Sequence, residues 1–135
     1  NQSDGYSRIV MNSLIGSSLA MCVAGSSRPG SGSEHMFSHA LDSIAEKPAL
    51  HGEQCAVGSI LMAFLHDLDW EKIKSTMEKI GLKTKARDLD IKDDEIIKAL
   101  EIAHSIRPER YTILGKDGLS HEVAVRVAEK TGVID

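Results

Sequence analysis

Three histidines between residues 35 and 51 have the spacing that could do chemistry. His35 and His39 are one helical turn apart on the same face of a predicted helix, so their two imidazoles can converge on one ion or one substrate group. His51 follows after a turn at Pro48 and completes a cluster if the two helices form a hairpin. Nearby carboxylates are Glu34, Asp42 and Glu53. Neutral imidazoles with a carboxylate suit zinc or another divalent transition metal, with one position open for substrate.

A plainer interpretation of the same histidines stays open. His35 and His39 could be a surface pair at the start of a helix, hydrogen-bonded to Ser and Glu neighbours, and His51 could be a helix cap. The spacing matches neither a zinc finger nor the two-histidine helix of metalloproteases. The isolated histidines of other helices, for which no catalytic role is expected, are His66, His104 and His121.

The loop before His35 invites a phosphate interpretation. Arg28 and a Gly-Ser run lead into a helix N-terminus, whose free N–H groups attract anions. Neither standard phosphate fingerprint is present. Gly30 is followed by Ser31 and Gly32 rather than by Lys and Ser or Thr, and His35 stands where the dinucleotide motif has its third Gly. A flexible connection between helices is an equally open interpretation.

Composition narrows the protein class. The chain has 135 residues, of which 41% are hydrophobic and 27% charged, and this predicts one globular domain over residues 1–135. A net charge of −4 disfavours nucleic acid and anionic lipid as partners.

The apolar stretch from Leu14 to Ala24 is interrupted at Gly16 and is shorter than the ~20 residues of a membrane span, so no membrane insertion is expected. Cys22 and Cys55 have no metal or redox spacing and are expected to be small core residues of a reduced, cytoplasmic protein.

The apolar pattern predicts an all-α fold, a helical bundle. Apolar residues recur at three and four positions rather than at two, and the run 111–114 is the only strand-like segment. Helices are expected near residues 7–23, from the turn at 31–34 to the break at Pro48, and near 51–68, 69–81, 93–105 and 120–132. The first helix is expected to bury Ile9, Val10, Leu14, Ile15, Leu19 and Cys22, and the last to turn Val123, Val127 and Ala128 inward. Trp70 and Leu82, taken as exposed, leave room for self-association, and a homo-oligomer is expected.

Three segments carry a resemblance to a known family. Residues 31–42, Ser-Gly-Ser-Glu-His-Met-Phe-Ser-His-Ala-Leu-Asp, are followed by His-Gly-Glu-Gln at 51–54 and by Arg-Tyr-Thr-Ile-Leu-Gly-Lys at 110–116. Together they resemble the archaeal-type sn-glycerol-1-phosphate dehydrogenases, within the wider group of metal-dependent polyol dehydrogenases that includes glycerol dehydrogenase and, more distantly, 3-dehydroquinate synthase. The resemblance spans nearly the whole chain and implies the C-terminal helical domain of a two-domain enzyme, whose N-terminal nucleotide-binding domain the chain does not contain.

The resemblance assigns roles to four residues. It implies that His35 and His51 are two of three protein ligands to a catalytic zinc, the third being an aspartate in a preceding segment absent from this chain. It places His39 in substrate binding or proton relay, and Arg28 against the substrate phosphate, although the role of Arg28 comes from the dehydroquinate synthase branch.

The implied activity is the reversible reduction of dihydroxyacetone phosphate to sn-glycerol 1-phosphate by NADH or NADPH, which sets the glycerol stereochemistry of archaeal membrane lipids. The chain by itself is expected to be inactive, because it lacks the coenzyme domain and one metal ligand. Alternatives are a glycerol dehydrogenase-like polyol oxidoreductase and a non-catalytic helical interaction domain. A dehydroquinate synthase-like lyase is disfavoured, because residues 32–34 are Gly-Ser-Glu where Asn-x-Gly is expected.

Overall fold

The structure is a computed structural model that describes residues 2–135, with side chains from residue 5 onward. It is all-α, as the pattern predicts: residues 2–135 contain six α-helices joined by turns and short 3-10 helices, and no strand. The helices are α1 Gln2–Ala24, α2 Ser33–Ile44, α3 His51–Leu65, α4 Trp70–Lys79, α5 Asp93–Ile102 and α6 His121–Lys130. Short 3-10 helices lie at Arg28–Gly30, Ala86–Leu89 and Ala103–Ile106. The strand-like run 111–114 forms no strand, and its residues 113 and 114 lie in a turn.

The contacts divide the chain into two compact units, residues 1–32 and residues 33–135. One domain over residues 1–135 was predicted from composition. Composition carries no information about how the contacts are distributed along the chain. Each unit makes most of its contacts internally.

The first unit is α1 with the 3-10 helix Arg28–Gly30. Gly25 has a φ of +61°, and this left-handed conformation ends α1 where the sequence predicts a stop. The chain then folds back, so that the backbone N–H of Ser26 donates to the carbonyl of Met21, and Gly30 lies against the Met21 side chain.

The prediction that α1 buries its apolar face was wrong. Seven of its large apolar side chains are 57% to 83% exposed, and Cys22 is exposed as well; the seven are Ile9, Val10, Met11, Leu14, Ile15, Leu19 and Val23. The segment Gly5–Ala24 is also long and apolar enough to cross a membrane by length and composition, contrary to the expectation from its interruption at Gly16. A signal sequence or a core helix passes the same test, so this is a weak indication of a span.

The second unit holds the core, which is built around the hairpin of α2 and α3. The apolar stripe of α2 packs against α3, with Phe37, Leu41, Val57, Ile60 and Leu61 all at 0% exposure. Helices α5 and α6 complete this core through Ile96, Leu100, Ala124 and Val127. The inward residue near the start of α6 is Ala124, whereas Val123 is 41% exposed, one position from the prediction.

Helix ends in the second unit follow local signals. The side chain of Asp69 accepts the N–H of Lys72 at 3.0 Å and caps α4, and Ser120 accepts the N–H of Val123 at 3.4 Å at the start of α6. Trp70 is half-buried with its ring edge-on to Phe64, so the expectation that it is exposed was wrong; Leu82 is 39% exposed.

Helices α2 and α3 approach closely at Gly58. A Cβ atom at Gly58 would lie 3.0 Å from the backbone oxygen of Glu34 and 3.2 Å from its Cα. Because glycine has no side chain, the two backbones can touch at this point. The contact lies beside His35 on α2 and on the same face of α3 as His51.

Candidate metal centre

The hairpin brings the three clustered histidines together. The ring centroids of His35 and His51 are 5.2 Å apart, and those of His39 and His51 are 5.3 Å apart with the rings stacked. His51 occupies the first position of α3, so its ring projects back beside the first two turns of α2. The structure therefore places all three imidazoles in one cluster; their individual roles stay predictions.

A carboxylate orients the ring of His35. The Nδ1 atom of His35 lies 2.7 Å from the Oε1 atom of Glu34. A carboxylate accepts hydrogen bonds, so Nδ1 carries the proton and Nε2 carries the lone pair that can bind a metal. A carboxylate behind the imidazole is a frequent second partner of zinc-binding histidines.

A buried hydroxyl orients the ring of His51. Ser38 donates its hydroxyl hydrogen to Oε1 of Gln54 at 2.5 Å, and its oxygen lies 2.8 Å from Nδ1 of His51. In this orientation of the Gln54 amide the single hydrogen of Ser38 goes to Gln54, and Nδ1 of His51 donates the second bond. The Nε2 atom of His51 is therefore the one left to bind a ligand.

Ser38 and Gln54 were not singled out in the sequence, although both belong to the motifs at 31–42 and 51–54. Both side chains are at 0% exposure. The amide Nε2 of Gln54 has no hydrogen-bond partner among the described residues. A buried polar pair of this kind is unusual in an apolar core and indicates that it serves the neighbouring site.

Cys55 lies beside His51, one turn further along α3. Its Sγ atom is 3.5 Å from Nε2 of His51, and its side chain is half-buried rather than in the core. Burial raises the pKa of the Cys55 thiol; a hydrogen bond with Ser38 opposes the rise, and the negative charges of Glu34 and Asp42 add to it. Without a cation the group is therefore a thiol and not a reactive thiolate.

Two overlapping sets of side chains could hold a metal ion. His35, His51 and Cys55 form one set, and His39, Asp42 and His51 form the other; within each set all ligand atoms lie within 4.8 Å of one another. Nitrogen, sulfur and carboxylate donors at these separations suit zinc better than magnesium or calcium, which prefer oxygen donors alone.

The other predicted site residues are placed differently. Nδ1 of His39 lies 3.6 Å from Oδ2 of Asp42, and both side chains are about two-fifths exposed, at 41% and 44%. The carboxylate of Glu53 forms a salt bridge with Lys83 at 3.1 Å. Arg28 starts the 3-10 helix of the first unit, and its role against a phosphate stays a prediction.

A surface cleft of about 690 Å³ lies elsewhere in the second unit. Four of its charged residues pair with one another, Lys92 with Glu46 at 2.9 Å and Lys47 with Asp90 at 3.1 Å. None of the clustered histidines lines it. The histidine cluster is therefore the better candidate for chemistry.

Comparison with known proteins bears on this cluster. No protein-family model matches the chain. It is 62% identical to a protein of Thermococcus sibiricus and 60% identical to one of Pyrococcus furiosus, each over 94% of this chain, and 55% identical over 98% to one of Pyrococcus horikoshii. All three relatives are named glycerol-1-phosphate dehydrogenase (NAD(P)+). The resemblance drawn from the motifs is thereby confirmed. The chain spans 36% to 38% of the length of these relatives.

Proposed function

We propose that this chain is the C-terminal helical, metal- and substrate-binding part of an NAD(P)-linked sn-glycerol-1-phosphate dehydrogenase. The observation that carries the proposal is the histidine cluster, formed by motif residues of a chain that is 55% to 62% identical to proteins of that name. The relatives extend well beyond the chain, and residues of that further length would supply the coenzyme domain.

In this proposal His35 and His51 hold a zinc ion through their Nε2 atoms. Zinc supplies Lewis-acid polarisation of a substrate carbonyl when it is bound. Glu34 and Ser38 fix the ring orientations from the opposite side, through the two Nδ1 atoms at 2.7 Å and 2.8 Å. This leaves little freedom for the ligand atoms to turn away from the site.

His39 has the remaining chemical task. Reducing a carbonyl takes a hydride, which NAD(P)H delivers to carbon, and a proton, which must reach oxygen. The ring of His39 stacks on His51, and Asp42 lies behind its Nδ1 atom, so its Nε2 atom is the one to hold or pass that proton. In the same proposal Arg28 binds the substrate phosphate.

The location and the product follow from the same proposal. Both cysteines are free, as suits a reducing cytoplasm. The product, sn-glycerol 1-phosphate, would supply the glycerol unit of archaeal membrane lipids, and we expect the complete enzyme to be a homo-oligomer.

A chimera tests the function. The chain replaces the matching segment of the Pyrococcus furiosus relative, and consumption of reduced nicotinamide is followed with dihydroxyacetone phosphate as substrate. We expect activity, a loss of at least about 100-fold in H35A and H51A, and a fall in kcat of about 10²–10⁴-fold in H39N. H66A is the control, since His66 is exposed beyond the end of α3.

Three results would contradict parts of this proposal. Unimpaired H35A and H51A chimeras would exclude the metal role of these histidines. Equal use of unphosphorylated dihydroxyacetone, unaffected by R28A, would favour the glycerol dehydrogenase alternative. An inactive chimera whose zinc content is unchanged by these substitutions would favour a helical interaction domain, and turnover by the chain alone would show that it needs no further domain.

A further inference from the structure

We propose that Gln54 is a positioning residue: its side-chain amide determines, through the hydroxyl of Ser38, which ring nitrogen of His51 carries the hydrogen. The inference rests on the metal role of His51 in the proposed function and adds no ligand to that site. It gives a task to a polar side chain that is at 0% exposure between α2 and α3.

Ligation through Nε2 of His51 places a requirement on the other ring nitrogen. A neutral imidazole has one nitrogen with a lone pair and one with a hydrogen, so a metal at Nε2 requires the hydrogen on Nδ1. The partner of Nδ1 is the oxygen of Ser38 at 2.8 Å, which must then accept. The single hydrogen of Ser38 therefore has to be donated to a different group.

Gln54 supplies the acceptor for that hydrogen. Its Oε1 atom lies 2.5 Å from the oxygen of Ser38, and both side chains are at 0% exposure. With the amide turned over, its NH₂ group would donate to Ser38, and Ser38 would donate to Nδ1 of His51. The neutral ring would then carry its hydrogen on Nε2, where it excludes a metal. The orientation of one amide thus selects the tautomer that can bind.

The other end of the amide supports this assignment. Nε2 of Gln54 has no hydrogen-bond partner among the described residues, although it is buried. A buried donor without a partner destabilises a fold, whereas an apolar side chain of similar length does not. The amide is therefore unfavourable for packing, and its oxygen, which Ser38 uses, is the part that serves the site.

Nitrogen NMR of the metal-free, isotope-labelled chain tests the proposal. At about pH 8, where imidazoles are neutral, the shifts of the ring nitrogens show which one carries the hydrogen, and the absence of signals in H51A identifies those of His51. We expect mainly the Nδ1–H tautomer in the wild type. In Q54M the hydrogen of Ser38 turns to His51, so the tautomer ratio should shift at least about fivefold toward Nε2–H.

Zinc affinity gives a second readout. It is measured by competition with a chelator in the chimera with the Pyrococcus furiosus relative, which contains the rest of the enzyme. Q54M should weaken zinc binding about 10–100-fold, as expected for a residue that orients a ligand. The unfolding midpoint of the metal-free chain should not fall, because the substitution removes an unpartnered buried amide.

The control is another buried polar residue. Thr84 is at 3% exposure, and its hydroxyl donates to the Glu78 carboxylate of α4 at 3.0 Å instead of to the histidine cluster. T84V should lower the unfolding midpoint and leave zinc affinity within about twofold of the wild type.

A double substitution separates an action through Ser38 from a general effect on packing. In S38A the amide has no hydroxyl to direct. Adding Q54M to S38A should therefore change zinc affinity by less than about twofold, far below its effect in the wild type.

Three results would overturn the inference and leave the proposed function standing. They are a wild type with mainly the Nε2–H tautomer, a tautomer ratio that Q54M does not change, and a loss of zinc affinity from Q54M that persists in S38A. Zinc binding that does not depend on His51 would overturn the proposed function, and with it the metal role of Gln54, even if the tautomer follows Gln54.

Discussion

The two units of this chain differ in what becomes of their apolar residues. In α1, side chains such as Leu14 and Ile15 are 59% and 57% exposed. In the α2–α3 hairpin, Phe37 and Leu41 are at 0%. Both segments are rich in apolar residues, yet those of α2 form one stripe facing a neighbouring helix, while those of α1 surround the helix. An apolar segment thus predicts that its side chains will be buried against another element. Which element buries them is seen only in the structure.

The largest expected effect comes from truncating one apolar side chain in each unit. F37A should lower the free energy of unfolding by about 3–5 kcal/mol, because it leaves a cavity in the core of the second unit. L14A should change it by less than about 0.5 kcal/mol, because Leu14 is exposed in α1. Urea denaturation followed by circular dichroism measures both. An L14A effect as large as that of F37A would mean that α1 is covered in solution.

A buried and an exposed serine make the second pair. S38A leaves the buried Oε1 of Gln54 and Nδ1 of His51 without their partner, and we expect a loss of about 1–3 kcal/mol. Zinc affinity should fall about 10–100-fold, because Ser38 sets the orientation of His51. S13A is the control: its hydroxyl donates to the carbonyl of Ile9 on an exposed helix, and removing it should change stability by less than about 0.5 kcal/mol. Unchanged zinc affinity in S38A would remove the positioning role.

Two helical glycines sharpen the comparison further. A methyl group at Gly58 would meet the backbone of Glu34 at 3.0 Å, so G58A should cost about 1–2 kcal/mol even after its gain in helix propensity. Nothing lies within 4 Å of the corresponding position at Gly16 in α1. G16A should therefore raise the helicity of α1, with a stabilisation of up to about 1 kcal/mol. Thermal melts of both variants measure the difference, and a stabilised G58A would contradict the close contact of α2 and α3.

The smallest expected effect is on the stability of the fold at acidic pH. Backbone N–H groups of Glu46 and Lys92, each 2.9 Å from the carboxylate, lower the pKa of Glu95 below its ordinary value of 4.5. A carboxyl with a lower pKa in the folded state stabilises the fold above its unfolded pKa, and this contribution is lost as pH falls through the folded pKa.

E95Q tests this contribution. It should lower stability at pH 7 by about 0.5 kcal/mol, since the carboxylate is near solvent, and should flatten the loss of stability between about pH 5 and pH 3. E129Q is the control, since it removes an exposed carboxylate of α6. The two variants should have different Tm profiles against pH; coinciding profiles would rule out a special role for Glu95.

Helix positions were predictable because their signals are local. Asp69 and Ser120 cap their helices through a residue three positions on, and Gly81 and Gly132 adopt the left-handed conformation expected of a stop. The convergence of His35 and His51 was predictable on the condition that the two helices form a hairpin, which the short turn at Pro48 favours.

What the sequence could not show depends on contacts between distant residues. The bond of Ser38 to Gln54 joins residues sixteen positions apart on two helices, and no spacing rule points to it. Cys55 was expected in the core because it lies among apolar residues, but the structure places it half-buried beside His51. The exposure of α1 was missed because a run of apolar residues does not show which element, if any, will cover it.

The close contact at Gly58 has a mechanical consequence. Two helices that rock against each other turn about the point where their backbones touch, and displacement grows with distance from that pivot. Cys55 lies about 4.5 Å from Gly58 along the axis of α3 and His51 about 10 Å from it, while His35 is next in the chain to Glu34, whose backbone forms the other half of the contact. Rocking of the hairpin therefore moves the His35 end of the cluster least, whereas His51, at the first position of α3, lies as far from the pivot as that helix allows and moves most.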